Sequence, residues 1–112
     1  MSSDTLVAAS TRPIVLSLLF SGESYGYQIL QRVRKVSGGQ MKWSSAMLYP
    51  VLRRMEKEGL IRSEWRVSAE NRMRRYYMLT DLGRKEFEVE KARWLNIQDA
   101  LRRLWKMTEA AE

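Results

Sequence analysis

Apolar residues in the first part of the chain recur every three or four positions, which is the spacing of one face of a helix. A first helix is predicted to start at Arg12-Pro13, because proline is tolerated in a first turn, and to stop at Ser21-Gly22. A second helix is predicted between a capping Ser24 and the glycine pair at 38–39. The apolar faces of the two helices are Ile14, Val15, Leu18, Leu19, Ile29, Val33 and Val36.

A third helix is predicted from a cap at Ser44 or Ser45 to a stop at Gly59. Pro50 falls near its fifth position, where proline removes a hydrogen bond and clashes with the preceding turn at a cost of about 3 kcal/mol. An opened or bent first turn, a later helix start or simple tolerance of proline would each accommodate it. The apolar face of this helix is Leu48, Val51, Leu52 and Met55.

After the third helix, uncharged and charged residues alternate at every second position, which is typical of a strand. Residues 61–67 alternate between uncharged and charged side chains, and residues 74–79 are rich in the aromatic residues that favour strands. A polar segment separates the two runs, so they are predicted to form a hairpin. Trp65, Tyr76 and Tyr77 are expected to pack within it rather than to stack on bases.

A long helix is predicted from a cap at Thr80 or Asp81 to about Met107, because no proline interrupts this segment and its apolar residues follow a heptad-like spacing. The order of elements predicts a mainly α protein with a small β-hairpin, that is, a winged helix-turn-helix followed by a long C-terminal helix. The corresponding domains are residues 1–79, for DNA binding, and residues 80–112, for dimerisation.

Charge separates these two parts of the chain. The sequence has 20 Lys and Arg against 13 Asp and Glu, and the whole excess of +7 lies in residues 1–79, whereas residues 80–112 are neutral. Such an excess favours a polyanionic partner, either nucleic acid or an anionic membrane surface. The most apolar run, residues 14–20, is far shorter than the roughly 20 residues that span a bilayer. We therefore expect a soluble cytoplasmic protein that does not enter a membrane.

The residue types leave little room for catalysis. The chain has no Cys and no His, which excludes disulfides, thiolate zinc sites, cysteine nucleophiles and the usual general base near neutral pH. A small metal-dependent nuclease would need paired carboxylates, but Glu56 and Glu58 diverge on a helix and Asp81 stands without an obvious partner. We expect no enzyme activity, no cofactor and no metal.

Three spaced blocks of the sequence carry a family resemblance. They are Tyr25-Gly26-Tyr27-Gln28-Ile29, Leu48-Tyr49-Pro50 with residues 52–61, and Arg74-Arg75-Tyr76-Tyr77-Met78-Leu79-Thr80-Asp81-Leu82-Gly83. In these blocks the chain resembles the PadR family of bacterial transcriptional regulators. The resemblance implies a DNA-binding homodimer, usually a repressor, and the single C-terminal helix is similar to the short subclass of that family. The hairpin departs from the family pattern, because Glu70-Asn71 stands where glycine is often found.

Double-stranded DNA is the expected partner of the third helix and of the hairpin tip. Ser45, Tyr49 and Arg53 lie four residues apart, opposite the apolar face, where Tyr49 and Arg53 can approach base edges. Lys42 and Ser44, with Ser45, can hold phosphates at the helix N-terminus. Arg72 and Arg74 at the hairpin tip can enter the minor groove or grip phosphates. The alternative is that the serines only cap and the arginines only solvate the surface.

The last helix carries more apolar residues than so small a domain can cover, and a second copy of the chain is the simplest partner. Two-fold pairing would place the recognition helices about 34 Å apart and predicts a pseudo-palindromic operator. By the resemblance, Trp94 is assigned as the contact for a flat hydrophobic effector, with Ile97 and Leu101 beside it; a dimer core without ligand is the alternative. The expected interface is Phe87, Trp94, Ile97, Leu101 and Leu104.

The competing prediction for function is a winged-helix RNA-binding or protein-interaction module that has no operator specificity. Its basic surface would meet single-stranded RNA or an acidic protein instead of duplex DNA. Binding to duplex DNA and to single-stranded RNA of equal length separates the two.

Overall fold

The computed structural model describes residues 3–111, with side chains over residues 8–110, and confirms the predicted fold class. Four helices and a small antiparallel sheet follow the expected order, with one additional short strand. The elements are α1 (Ser3–Ser21), β1 (Ser24–Tyr25), α2 (Gly26–Val36), α3 (Ser45–Lys57), β2 (Ile61–Val67), β3 (Met73–Leu79) and α4 (Asp81–Ala111).

Helix α1 is longer than its sequence pattern predicts. It starts at Ser3, so Pro13 lies in its interior, and the prediction that Pro13 occupies a first turn is wrong. The Pro13 carbonyl accepts a hydrogen bond from the Ser17 hydroxyl at 2.7 Å. Val15 and Leu16, which follow the proline, are completely buried, and their burial offsets the cost of a proline inside a helix.

Ser24 belongs to a strand and does not cap α2. It pairs with Tyr77 in the antiparallel β1–β3 ladder, and α2 begins after Tyr25 without a side-chain cap. The Ser24 hydroxyl is buried and accepts a hydrogen bond from Arg32 at 2.7 Å. Val36 is 80% exposed, which corrects its predicted place on the buried face, because α2 ends at this residue.

Helix α3 begins where the sequence predicts. Ser44 is the cap, and its hydroxyl accepts a hydrogen bond from the Met47 amide at 3.2 Å. The Leu48 amide closes the first turn on the Ser44 carbonyl at 3.0 Å, and the helix continues through Pro50 to Lys57. A later start and an opened first turn are therefore wrong, and the helix tolerates the proline. Leu48, Leu52 and Met55 anchor it in the core.

Strands β2 and β3 form the predicted hairpin, which we call the wing. Their register runs from Ile61 opposite Leu79 to Val67 opposite Met73. In the loop between them, Asn71 adopts a left-handed conformation with φ of 61°, which asparagine tolerates better than most residues. The Ser68 hydroxyl accepts a hydrogen bond from the Arg72 amide at 3.2 Å, so the loop has a defined shape.

Helix α4 is joined to the domain at its first turn and leaves it further along. The Thr80 hydroxyl caps the helix by accepting from the Gly83 amide at 3.0 Å, and donates to the Gly59 carbonyl at 2.5 Å. Phe87 stacks on Phe20 of α1, with ring centres 4.2 Å apart. Every side chain from residue 95 to residue 110 is exposed, so the second half of α4 projects from the domain.

Candidate nucleic-acid interface

An open cleft of about 550 Å³ lies between α3, the start of α2 and the wing; we call it the α3–wing cleft. Five aromatic rings, four arginines, a methionine and a glycine line it. No acidic residue is among them. The lining residues are Tyr25, Gly26, Tyr27, Tyr49, Arg53, Trp65, Arg72, Met73, Arg74, Arg75 and Tyr77.

Two of the residues predicted on α3 line this cleft. Tyr49 and Arg53 are one turn apart and exposed, and Arg53 has no ion pair with any residue whose side chain is described. Ser45 is exposed at the start of the same helix. The Ser44 hydroxyl is engaged in capping, which leaves the free amides of the first turn as its contribution to a surface.

Lys42 lies outside the α3–wing cleft. It lines a smaller cleft of about 210 Å³ between α2 and the loop that precedes α3, together with Arg34 and Trp43. Tyr27 lines both clefts and links them. Of the predicted contacts, Tyr49, Arg53, Arg72 and Arg74 therefore line the α3–wing cleft, whereas Lys42 lines the neighbouring cleft and the two serines line neither.

The two arginines predicted at the wing tip differ in their surroundings. Arg72 is exposed and forms no ion pair within the part of the chain with described side chains. Arg74 is half-buried, with its guanidinium 4.4 Å from the centre of the Tyr25 ring and 3.7 Å from Glu70. Hydrogen bonds from Ser68 and from the backbone, followed by the charge of Arg74, hold the pKa of Glu70 below its ordinary value. Arg72 is thus the more available cation.

A second pair of wing arginines, Arg66 and Arg75, is tied to the rest of the domain. Arg66 bonds both carboxylate oxygens of Glu23, at 2.5 and 2.8 Å, and also contacts Glu64. This pairing lowers the pKa of Glu23 and raises that of Arg66. Arg75 bonds Glu56 of α3 at 3.2 Å. Residue spacing does not predict the Arg66–Glu23 and Arg75–Glu56 pairs, because each joins segments far apart in the chain.

The aromatic residues of the wing pack as predicted, and Trp65 is also exposed. Tyr77 is buried, and Tyr76 packs edge-on against Tyr25, as expected. Trp65 packs within the hairpin as predicted, because the guanidinium of its cross-strand partner Arg75 lies 6.0 Å from its ring centre. The side chain is nevertheless 61% exposed and also lines the α3–wing cleft, which the sequence did not predict. Tyr25 and Tyr27 were not predicted as site residues, although both stand in one of the blocks that resemble PadR.

Comparison with known proteins identifies the family. The model of the transcriptional regulator PadR-like family matches residues 15–89. The chain belongs to this family. PadR-like proteins are DNA-binding transcriptional regulators, so the chain is a regulator of this kind and not an enzyme.

Solved structures of PadR-like regulators share the fold across nearly their whole length. One from Bacillus cereus is 27% identical, with a TM-score of 0.80 over 89% of this chain and 95% of that chain. A transcriptional regulator from Clostridium thermocellum is 28% identical, with a TM-score of 0.78 over 88% and 96%. An uncharacterized protein of Lysinibacillus sphaericus is 26% identical over 88 residues, which are 79% of this chain and 81% of that protein.

The PadR-like chain has a third cleft, of about 300 Å³, between α1 and α4. Trp94 and Phe87 line it. Phe87 also packs against the core of its own domain, so the prediction that the domain cannot cover this residue is wrong. The other residues predicted for an α4 interface are exposed: Ile97 (51%), Leu101 (39%) and Leu104 (55%).

Two further features of this PadR-like chain bear on its partners. Within residues 3–111, no helix is long and apolar enough to cross a membrane. The same described residues contain no cluster of three or more acidic side chains that could hold a metal ion.

Proposed function

We propose that this PadR-like regulator is a repressor that occupies a pseudo-palindromic operator as a homodimer in the cytoplasm. The observation that carries the proposal is the α3–wing cleft, where Tyr49, Arg53 and Arg72 are exposed beside a helix that presents its outer face. The basic excess of the chain lies in the same part, residues 1–79, which we assign as the DNA-binding domain.

The cleft fits the path of a DNA strand. With α3 in the major groove and the wing over the adjacent minor groove, the sugar-phosphate strand between the two grooves crosses the cleft. Tyr49 and Arg53 then face base edges, and Arg72 reaches phosphates or the minor groove. Lys42 and the first-turn amides at Ser44 and Ser45 hold a neighbouring phosphate.

Residues 80–112 supply the dimer contact in this proposal. The second half of α4 exposes a series of large apolar side chains, which is typical of a protein–protein contact; they are Leu95, Ile97, Leu101, Leu104, Trp105 and Met107. A two-fold axis would cover this surface in both copies at once and would set the recognition helices about one DNA turn, roughly 34 Å, apart. The residues assigned to the contact are Phe87, Trp94, Ile97, Leu101 and Leu104.

A flat hydrophobic small molecule is the proposed releasing ligand. Trp94 lines the α1–α4 cleft and offers a flat face, and Ile97 and Leu101 follow it along the same helix. A ligand changes operator occupancy only if it binds one arrangement of the two domains better than the other. Release therefore requires that the favoured arrangement mismatch the operator spacing.

Fluorescence anisotropy with duplex DNA from upstream of the protein's own coding region tests the proposal. We expect tight binding that survives excess random duplex and weakens steeply between two salt concentrations. Equal affinity for random duplex would show that the basic chain binds DNA only through non-specific electrostatic attraction. Tighter binding to single-stranded RNA of the same length would favour the RNA-binding alternative.

A further inference from the structure

Glu56 occupies an unexpected place for an acidic residue on a DNA-binding helix. It follows Tyr49 and Arg53 at i+7 and i+3, so it continues the outer face of α3. A carboxylate beside a surface that meets phosphates opposes binding through its charge. We therefore asked which contacts the Glu56 carboxylate makes within the protein.

The carboxylate of Glu56 closes a triangle of hydrogen bonds with the wing. One oxygen accepts from the Ser63 hydroxyl at 2.7 Å, and the other accepts from Nη2 of Arg75 at 3.2 Å. The Nε of Arg75 donates to the Ser63 hydroxyl at 2.8 Å. Each of the three side chains bonds the other two, which fixes their relative positions.

The triangle holds both strands of the wing. Ser63 lies on β2 and Arg75 on β3, whereas Glu56 lies on α3. Among the described side chains, the triangle is the polar link between the wing and α3, and beyond it the hairpin runs to Val67 and Met73. The outer part of the wing is attached elsewhere, because Arg74 packs on the Tyr25 ring of β1. The Arg66–Glu23 pair attaches β2 separately to the segment before β1.

We propose that Glu56 is a positioning residue that sets the wing against α3 and so fixes the width of the α3–wing cleft. The inference rests on the proposed function, because cleft width matters only if one DNA strand crosses it. In this proposal Arg75 holds the wing against α3 through Glu56, whereas the exposed Arg72 contacts DNA. Since the side chains of Glu56 and Arg75 are 31% and 42% exposed, the triangle adds little to folding stability, and its effect falls on geometry.

Two substitutions that change charge equally separate positioning from repulsion. Glu56→Gln and Glu56→Ala each remove one negative charge, but only glutamine keeps an acceptor for Ser63 or Arg75. We expect Glu56→Ala to weaken operator binding by about tenfold, a factor equal to 1.4 kcal/mol at 25 °C, despite its higher net charge. Glu56→Gln should stay within about twofold of the parent chain or bind more tightly.

The charge control is Glu58→Ala, because Glu58 pairs with Arg12 of α1 and, over residues 8–110, forms no ion pair with the wing. It should leave operator affinity unchanged or raise it. Ser63→Ala changes no charge and removes one corner of the triangle, so it should weaken binding even if Glu56→Ala does not fold. Thermal unfolding of each variant verifies that it is folded at the temperature at which its DNA affinity is measured.

A double-mutant cycle with Arg72→Ala gives a readout that loss of folding would not produce. If Glu56→Ala misplaces the wing, Arg72→Ala should cost less affinity in that background than in the parent. The inference is overturned if Glu56→Ala and Glu56→Gln tighten operator binding equally. It is also overturned if the losses of affinity caused by Glu56→Ala and by Arg72→Ala are additive in the double variant. Failure of the parent chain to discriminate its operator would instead overturn the proposed function.

Discussion

The phenol of Tyr49 occupies the space that a side chain at position 26 would need. A Cβ built on Gly26 would lie 2.7 Å from Cζ of Tyr49 and closer still to its hydroxyl oxygen. Gly26 is the first residue of α2, and Tyr49 is on the outer face of α3. The glycine therefore determines where an exposed tyrosine of the α3–wing cleft can lie.

Gly26→Ala should displace Tyr49 and weaken operator binding about as much as Tyr49→Ala does. Alanine favours a helix over glycine by about 1 kcal/mol, and Tyr49 can swing toward solvent, so the unfolding free energy should change by less than about 1 kcal/mol. The double variant should lose no more affinity than either single variant. Gly22→Ala is the control, because nothing lies within 4 Å of a Cβ at that position. A Gly26→Ala chain with full affinity would contradict a role for the Tyr49 position.

Arg53→Ala and Arg72→Ala should weaken DNA binding in different ways. If Arg53 reads a base, its loss should reduce discrimination between operator and random duplex by about 1–3 kcal/mol. Arg72→Ala should weaken all sequences alike and reduce the salt slope by about one. Anisotropy titrations at several salt concentrations measure both quantities. An equal loss on operator and random duplex would make Arg53 a phosphate contact.

Trp94→Ala should weaken self-association, because Trp94 begins the apolar surface along the projecting half of α4. Truncating a large aromatic residue at a dimer contact commonly costs about 2 kcal/mol or more, which is near thirtyfold in the dissociation constant. Sedimentation over a range of protein concentrations measures this constant. Val36→Ala, at an exposed apolar residue outside α4, is the matched control. If the dissociation constant of the Trp94→Ala variant is unchanged, the dimer interface lies elsewhere.

Alkaline pH should destabilise the fold through Tyr77. Burial raises the pKa of this phenol above its ordinary value of 10.0. The pKa of Tyr77 is higher in the folded chain than in the unfolded chain. The contribution of the neutral phenol to the free energy of unfolding is therefore complete below pH 10, and it is lost as the pH rises through the folded pKa. Urea unfolding between pH 8 and 11 should show this decline in the parent chain and less of it in Tyr77→Phe. Tyr27→Phe, at an exposed tyrosine, should behave like the parent.

The elements predicted correctly are those whose pattern is set by buried side chains. In α3, the burial of Leu48, Leu52 and Met55 produces the helical period, and the Ser44 cap follows from local chemistry. Strand β1 has two residues, which is too short for any period, and it exists because the backbone of Ser24 pairs with β3. Pairing of distant backbone segments leaves no trace in local spacing.

The same distinction holds for the candidate site. Tyr49, Arg53 and Arg72 were predicted because residue type and helical or hairpin position are enough to place them outward. The triangle of Glu56, Ser63 and Arg75 was not, because it depends on how the sheet register sets the wing against α3. The exposure of Trp65 has the same origin.

The attachment of the first half of α4 makes its second half a rigid arm. A Cβ on Gly83 would overlap the carbonyl of Leu60, Thr80 bonds the Gly59 carbonyl, and Phe87 stacks on Phe20 of α1, so the domain holds this half of the helix at several points. The arm, residues 95–111, is about 25 Å long. A change of about 8° in its direction moves the far end by about 3.5 Å, which is close to the rise of one base pair. In the proposed dimer, the direction in which the arm leaves each domain therefore sets the spacing of the two DNA-binding domains to within a base-pair step.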